Sequence, residues 1–187
     1  MPTIDVVLIA AAVAILALAF AWGYNRLVHD SNLVKEGWSG MDVQLKRRHD
    51  LIPNLVEAVK AYASHERGTL EKVAALREGL DDADLKAREA GERGITDGLK
   101  RLFAVAEAYP DLKASQDFLD LQKNLTDVED QIQMARRYYN GAVRIFNIRV
   151  ESFPTNVVAK LTGFRAAEFF ELETATEREA PKVEFPS

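Results

Sequence analysis

The chain has no cysteine among its 187 residues. Disulfide bonds, thiolate metal ligands and cysteine nucleophiles are therefore all excluded. It also lacks an excess of basic residues, since 24 Lys and Arg stand against 29 Asp and Glu, a net charge of -5. Binding to a phosphate backbone needs an excess of positive charge, so we expect no nucleic acid partner. The length is that of one domain with a core.

Motifs for a metal, a phosphate group or a catalytic triad are also missing. The residues three positions before His29, His49 and His65 are Arg, Lys and Tyr, so the Glu-x-x-His pairs of a di-iron bundle are absent. The zinc-protease motif that begins at His65 has Thr69 where its second histidine belongs. No glycine-rich segment ends in Lys-Ser or Lys-Thr, and no serine stands in a nucleophile elbow. We predict no cofactor, no metal site and no enzyme activity.

Charge is absent from Val6 to Asn25, which reads VVLIAAAVAILALAFAWGYN. About 20 helical residues span about 30 Å, the hydrocarbon thickness of a bilayer. A cleaved signal peptide is the alternative, because Ala17-Leu18-Ala19 resembles a cleavage site, but the preceding MPTID lacks the positive charge of such peptides. We interpret the segment as an uncleaved span, which makes the lipid bilayer a partner.

Lys and Arg follow the span and do not precede it, beginning with Arg26 and Lys35. The positive-inside rule then places the short N-terminal tail outside the cell and everything from Arg26 onward in the cytoplasm. The predicted location is the bacterial inner membrane, crossed once.

Apolar residues recur every seven positions after the span. One series contains Trp38, Leu45, Ile52, Val59 and Val73, and a second contains Leu27, Val34, Met41, Leu55 and Leu76. Their offsets predict one helix from Arg26 to Leu80 that packs along a single seam. The phase is unchanged across Pro53, which favours a kink over a break. Alternatively, Asp50 caps a restarted helix with Pro53 in its first turn.

Polar residues interrupt these core-facing series, namely Arg48, Glu66 and Thr69 on the first helix and Arg149 on a later one. Two interpretations stay open. In the first, polar residues within the seam set the helix register or the oligomeric state. In the second, the apolar part of each side chain packs in the seam while its polar end reaches solvent.

Further helices are predicted from the apolar spacing and the prolines. A loop is predicted at 81–94, with a helix as the alternative for part of it. A helix follows at 95–109, and Pro110 ends it. A long helix follows at 115–153, with Ser115 as its cap, and a short one runs from Thr155 to Gly163. The short helix is expected to bury Val157, Val158 and Leu161, and an aromatic cluster of Phe164, Phe169, Phe170 and Leu172 to cover the bundle end.

The predicted fold class is all-α. It comprises a tail and transmembrane helix over residues 1–25, then an antiparallel up-and-down helical bundle of three long helices and one short helix over residues 26–173. Residues 174–187 are too polar to fold alone and are expected to be extended or disordered.

Five sequence blocks resemble the LemA family in content and order. They are YNRLV at 24–28, WSGMDVQLKRRHDLIPNLVEAVKAYASHERGTLE at 38–71, ARRYYNGAVRIFN at 135–147, SFPTNVVAKLTGF at 152–164 and PKVEF at 181–185. The resemblance implies a bacterial single-pass membrane protein with a helical-bundle domain. It brings no catalytic residues, and it implies an accessory role beside membrane partners such as a metalloprotease.

The leading functional hypothesis is a non-enzymatic scaffold or adaptor that self-associates as a homo-oligomer. The first helix would measure about 80 Å against about 57 Å for the third, leaving apolar residues near the membrane without a partner in the chain. The alternative is a membrane-linked signalling component with a hinge at Pro53. The candidate interaction or structural residues are Trp38, Arg47, Arg48, Asp50, Pro53, Asn54, Arg136, Arg137, Tyr139 and Asn140.

Overall fold

The computed structural model describes residues 2–75 and 84–171, and every regular element in these two ranges is helical. The elements are α1 (Pro2–Tyr62), a 3-10 turn (Ser64–Glu66), α2 (Arg67–Ala75), α3 (Leu85–Glu107), α4 (Pro110–Lys113), α5 (Gln116–Glu151) and α6 (Thr155–Thr162). The predicted fold class, all-α with an apolar N-terminal helix and a helical bundle, is confirmed.

The chain divides into two compact units. Among the described residues, the first unit combines 2–42 with 133–169, and the second combines 43–75 and 84–132 with 170 and 171. Helices α1 and α5 each contribute one part to both units. The domain bounds predicted from the sequence remain a prediction, and the predicted tail at 174–187 lies outside the described residues.

Helix α1 continues through Pro53, as the unchanged heptad phase predicts. The restart at Asp50 is wrong, because both residues lie inside one helix that begins at Pro2. The core-facing series is also confirmed along α1, where the following side chains are fully or almost fully buried: Leu27, Met41, Leu45, Ile52, Leu55 and Val59.

The predicted extension of this helix to Leu80 is wrong, because α1 ends at Tyr62. The Ala63 amide still donates to the Val59 carbonyl at 2.8 Å, but the Glu66 amide donates to Ala63 at 3.0 Å, which is the tighter 3-10 pattern. Serine at position 64 favours non-helical backbone ahead of a new helix. Glu66 lies in this turn and is exposed, so it is not core-facing, whereas Val73, seven residues later in the same series, is buried.

Helix α3 begins at Leu85, so the segment at 85–94 takes the helical alternative that the sequence left open for part of the loop, while 81–83 lie outside the described residues. A carboxylate oxygen of Asp84 accepts the Ala87 amide at 2.8 Å and caps the helix. The glycine-containing segment therefore belongs to a helix. Pro110 opens the short helix α4 after α3 has ended, as expected of its missing amide.

Helices α5 and α6 agree with their predicted bounds within two residues, and Gly163 ends α6 in the left-handed region at a φ of 82°. The predicted burial is right only for Val158. Val157 is 49% exposed and Leu161 is 73% exposed. Of the predicted aromatic cluster, Phe170 is buried, Phe164 is half-buried, Phe169 is 40% exposed, and Leu172 lies outside the described residues.

The apolar start of α1 has every side chain exposed from Thr3 to Trp22. Its most apolar window has a mean hydropathy of 2.7, which by length and composition makes it a candidate membrane span. An apolar surface this long is unfavourable in water.

Candidate functional site

The second unit has a buried ionic cluster around Arg48. Its guanidinium is fully buried and pairs through Nη2 with Glu92 Oε2 of α3. Its Nη1 donates to Glu129 Oε2 of α5 at 2.8 Å and to Thr96 Oγ1 at 3.2 Å. The interpretation in which the head of Arg48 reaches solvent is therefore wrong. We call Arg48, His49, Glu92, Thr96 and Glu129 the Arg48 cluster.

Glu92 is the central acid of this cluster and is also fully buried. His49 Nε2 lies 3.0 Å from Glu92 Oε1, within ion-pair distance, although the two atoms are not aligned as a hydrogen bond. Burial raises the pKa of Glu92, but contact with His49 and the positive charge of Arg48 outweigh burial and hold that pKa below its usual range. The Glu92 carboxylate is therefore ionised at neutral pH.

The geometry of the Arg48 cluster suits a structural task. Both carboxylates face the arginine, and among the described residues no three His, Cys, Asp or Glu side chains are grouped to hold a metal ion. A buried arginine meets two acids from two other helices at only one register of those helices. We infer that the cluster selects how α1, α3 and α5 align within the second unit.

Sequence reasoning found Arg48 but missed its acids. Glu92 stood in the predicted loop, yet it precedes Ile95 and Leu99 by three and seven positions, the spacing of one helix face. Extending that phase backward would have placed Glu92 in the core. Glu129 follows the buried Val128 directly and carries no such signal.

The first unit contains a second buried acid, Asp30, which is 1% exposed. It pairs with Arg149 Nε of α5, with His29 Nδ1 at 3.1 Å and with Arg26 Nε at 3.7 Å. Burial raises the pKa of Asp30, but the hydrogen bonds from Arg149 and His29 and the nearby charges outweigh it, so that pKa is lowered. Arg149 was a predicted polar seam residue, whereas Asp30 was missed.

The chain after α6 is held against α5 in the same unit. Tyr139 donates its hydroxyl to the Glu168 carbonyl at 2.9 Å, and its ring meets Trp38 edge-on at 5.6 Å between centroids. The side chain of Asn147 donates to the Ala167 carbonyl at 2.9 Å and accepts the Ala167 amide at 2.8 Å. These contacts hold the chain beyond Gly163 against α5.

The ten candidate residues are divided between the two units. Trp38, Arg136, Arg137, Tyr139 and Asn140 belong to the first unit, and Arg47, Arg48, Asp50, Pro53 and Asn54 belong to the second. The rings of Trp38 and Tyr139 contact each other. Among those in the second unit, Arg48 is internal and the other four are exposed. Their interaction roles and the hinge at Pro53 remain predictions.

Sequence reasoning missed an apolar surface on the outer side of α5. Its members are spaced four and three residues apart, and the four with side chains are about half-exposed: Met134, Tyr138, Gly141, Ile145 and Ile148. A Cβ placed on Gly141 would have no atom within 4 Å. We call this set the α5 stripe. The stripe has the same spacing as the core series of α5, and the core series contains more apolar residues, so the stripe was overlooked.

Apolar residues that follow the candidate span have partners within the chain, contrary to the prediction. Leu27 is fully buried with Phe146, Val158 and Ala159, and Val34 packs against the same cluster. The first helix is therefore covered by α5 and α6 from Leu27 onward within the first unit. Leu27 and Val34 are therefore not available as a surface for self-association.

Comparison with known proteins agrees with the motifs. The model of the LemA family matches residues 37–185. Protein LemA of Metamycoplasma hominis is 30% identical over 78% of this chain and 68% of its own length. Magnetosome protein MamQ 2 of Paramagnetospirillum magneticum is 27% identical, covering 81% and 66%. Magnetosome protein MamQ of Magnetospirillum gryphiswaldense is 25% identical, covering 79% and 64%.

The chain thus spans slightly less than two thirds of the MamQ relatives and slightly more than two thirds of the LemA relative. The names of these relatives are not those of enzymes. Because the family model covers most of the chain, including α2 to α6 and the second part of α1, this protein belongs to the LemA family.

Proposed function

We propose that the chain is a non-enzymatic, single-pass membrane protein whose helical bundle acts as a scaffold or adaptor. The observation that carries this proposal is the double role of α1. Its side chains are exposed and apolar from Val6 to Trp22, yet from Leu27 the same helix supplies core residues. Exposing these apolar side chains to water is unfavourable in free energy, whereas a bilayer accommodates them. A bundle built on its own span is held at the membrane.

The bundle is proposed to lie in the cytoplasm, because Arg26 and Lys35 follow the span and no Lys or Arg precedes it. The absence of cysteine makes a clean test available. A Lys123→Cys variant carries one exposed thiol, which a membrane-impermeant maleimide should label only after the inner membrane of spheroplasts is broken. Labelling of intact spheroplasts would reverse the proposed orientation.

The α5 stripe supports self-association with a second copy of the chain. Its spacing is that of a seam between two packed helices, and the open space above Gly141 lets a partner helix approach closely. Two copies anchored in one membrane present the same stripe in the same orientation, which suits a symmetric pair around an axis normal to the bilayer. Membrane confinement also raises their effective concentration.

Cross-linking tests this contact in native membranes. An Ile145→Cys variant should form a disulfide-linked dimer on mild oxidation, whereas Ser39→Cys, exposed on α1 of the same unit, should remain monomeric. Adding Met134→Lys to the Ile145→Cys variant should abolish the dimer. Equal cross-linking at positions 39 and 145 would indicate random collision, and none at 145 would refute the contact.

A membrane protein such as a metalloprotease is the partner class that the family resemblance implies. As a scaffold, the bundle would hold that partner beside its own span. Affinity purification of the full chain from solubilised membranes tests this, with an Ile145→Lys variant processed in parallel. A membrane protein recovered with both forms would bind away from the α5 stripe, and recovery of no membrane protein would contradict the adaptor role.

A further inference from the structure

Helix α6 lies against the end of the candidate span. A Cβ added at Gly23 would stand 3.3 Å from Cγ2 of Val158 and 3.6 Å from Cγ2 of Thr155. The next residue, Tyr24, places its ring 6.1 Å from the ring of Phe164, just beyond α6. Gly23 and Tyr24 belong to the last turn of the uncharged segment. Helix α6 therefore packs against the end of the uncharged segment.

Only one side of α6 is used in this packing. Val158 and Ala159 are buried in the cluster with Leu27 and Phe146. On another side of α6, Val157 is 49% exposed and Leu161, one turn later, is 73% exposed, and Phe153 ahead of the helix is 82% exposed. Phe153 directly precedes Pro154 and the helix. Val157 and Leu161, one turn apart on α6, and Phe153 just ahead of the helix are thus three exposed apolar side chains close to the span.

We propose that this edge, Phe153, Val157 and Leu161, inserts into the interfacial layer of the same bilayer that α1 crosses. The inference rests on the proposed membrane anchor. Because α6 packs on the last turn of the span, its exposed edge is continuous with the lipid-facing surface of α1. An amphipathic helix at that depth buries its apolar side about 5–10 Å below the headgroups. The bilayer covers a surface that would otherwise face water.

Basic residues flank this edge and suit a lipid occupant. Lys160 and Arg165 are exposed, and Arg26 is partly exposed at the end of the span. Lysine and arginine beside an inserted helix extend their charged heads to anionic headgroups while their stems stay among apolar groups. The acidic Glu151 and Glu168 are also exposed in the first unit, so the attraction is local to α6 and not a property of the whole unit.

Lipid quenching measures the insertion directly. The full chain carries no cysteine, so a Leu161→Cys variant can be labelled with one environment-sensitive fluorophore and reconstituted into vesicles of phosphatidylcholine and phosphatidylglycerol. Lipids with a doxyl quencher near the headgroup end of the acyl chain should quench this label. We expect at least about twofold more quenching than for Met134→Cys, which lies about 26 Å along α5 from Glu151. Equal quenching at the two positions would overturn the proposal.

A third variant separates this inference from the anchor on which it rests. A label at Leu16→Cys reports the span and should be quenched by doxyl groups deep in the bilayer. Quenching at position 16 without quenching at position 161 would refute the inserted edge alone, and no quenching at position 16 would refute the anchor as well. Oxidative dimerisation of Leu161→Cys without lipid quenching would show that a second copy covers the edge, which also overturns the proposal.

Discussion

Arg48 occupies a position where the heptad pattern places apolar side chains, and it brings a full positive charge there. Removing a charge from water costs several kcal/mol, which its contacts with Glu92 and Glu129 have to offset. Such a cluster adds little net stability compared with an apolar core. Losing one member is costly, because the remaining charge stays buried without its partner.

Replacing Arg48 with Met should therefore destabilise the protein strongly. We expect a loss of about 3–5 kcal/mol in the free energy of unfolding, because Glu92 remains fully buried without its main counter-charge. Denaturant unfolding in detergent micelles, followed by far-UV circular dichroism, measures the change. The matched control is Arg47→Met, since Arg47 is exposed on the same helix and should change stability by less than about 0.5 kcal/mol.

A double variant tests the coupling between the two buried charges. Arg48→Met combined with Glu92→Leu removes both charges and should recover most of the stability that the single variant loses. Additive losses in the double variant, or equal effects of Arg48→Met and Arg47→Met, would contradict the coupling.

The lowered pKa of Glu92 also predicts how the free energy of unfolding changes at low pH. Its folded pKa is lowered, so its ionised form stabilises the protein fully above the unfolded pKa of about 4.3, and this contribution is lost as pH falls through the lowered folded pKa. Asp30 contributes with the same sign. Unfolding free energies measured at successively lower pH should decline in this window. The decline should be smaller in Glu92→Gln, whereas Glu107→Gln, exposed on the same helix, should behave like the unmodified protein.

At the scale of the element, Gly37 and Gly40 show how packing decides the effect of one substitution. They lie almost one turn apart on α1. A Cβ at Gly37 would stand 3.0 Å from the Tyr139 Cα and 3.2 Å from a ring carbon of Tyr138, whereas a Cβ at Gly40 would have no atom within 4 Å. Glycine is thus required for close approach at one position and only lowers helix propensity at the other.

We expect Gly40→Ala to stabilise the protein by about 0.5–1 kcal/mol, because alanine loses less backbone entropy on forming a helix. Gly37→Ala should destabilise it by about 1–3 kcal/mol, since the new methyl group has to displace the backbone of α5. Thermal unfolding of the two variants under the same conditions gives the comparison. Shifts of the same sign would show that Gly37 does not set the distance between the helices.

Element boundaries were predictable where a strong local signal was present. Gly163 ended α6 as expected, because glycine readily adopts a positive φ, and Pro110 stands at the start of α4, where its missing amide donor is tolerated. The end of α1 at Tyr62 was not predicted. The heptad count continued through the turn at Ser64, and side chains that continue a spacing in sequence need not lie on one continuous helix.

At the scale of the whole molecule, the apolar start of α1 should decide where the protein is found. Ala14→Arg combined with Leu16→Arg places two charges near the middle of the span, each costing about 2.5–3.5 kcal/mol on insertion. This variant should appear in the soluble fraction after alkaline carbonate extraction of membranes. The control, Ala14→Leu combined with Leu16→Ala, keeps the segment apolar and should stay in the pellet.

Retention of the double-arginine variant in the carbonate-washed pellet would show that α1 is not the anchor. The helical content of the double-arginine variant should be measured by circular dichroism in the same experiment. Most core residues of both units come from Leu27 onward, so the bundle should keep its helicity without an inserted span. Aggregation with loss of helicity would instead mean that folding depends on membrane insertion.

Periodicity was sufficient to establish an all-α protein with an apolar first helix and a core-facing series from Leu27 to Val59, because these features depend on neighbours a few positions apart in the chain. The partners of Arg48 and Asp30, the uncovered edge of α6 and the α5 stripe depended on tertiary structure. A helix often has several apolar or charged faces, and each of these features depends on which face another helix covers. That choice is made by packing between residues distant in sequence, and no local spacing contains it.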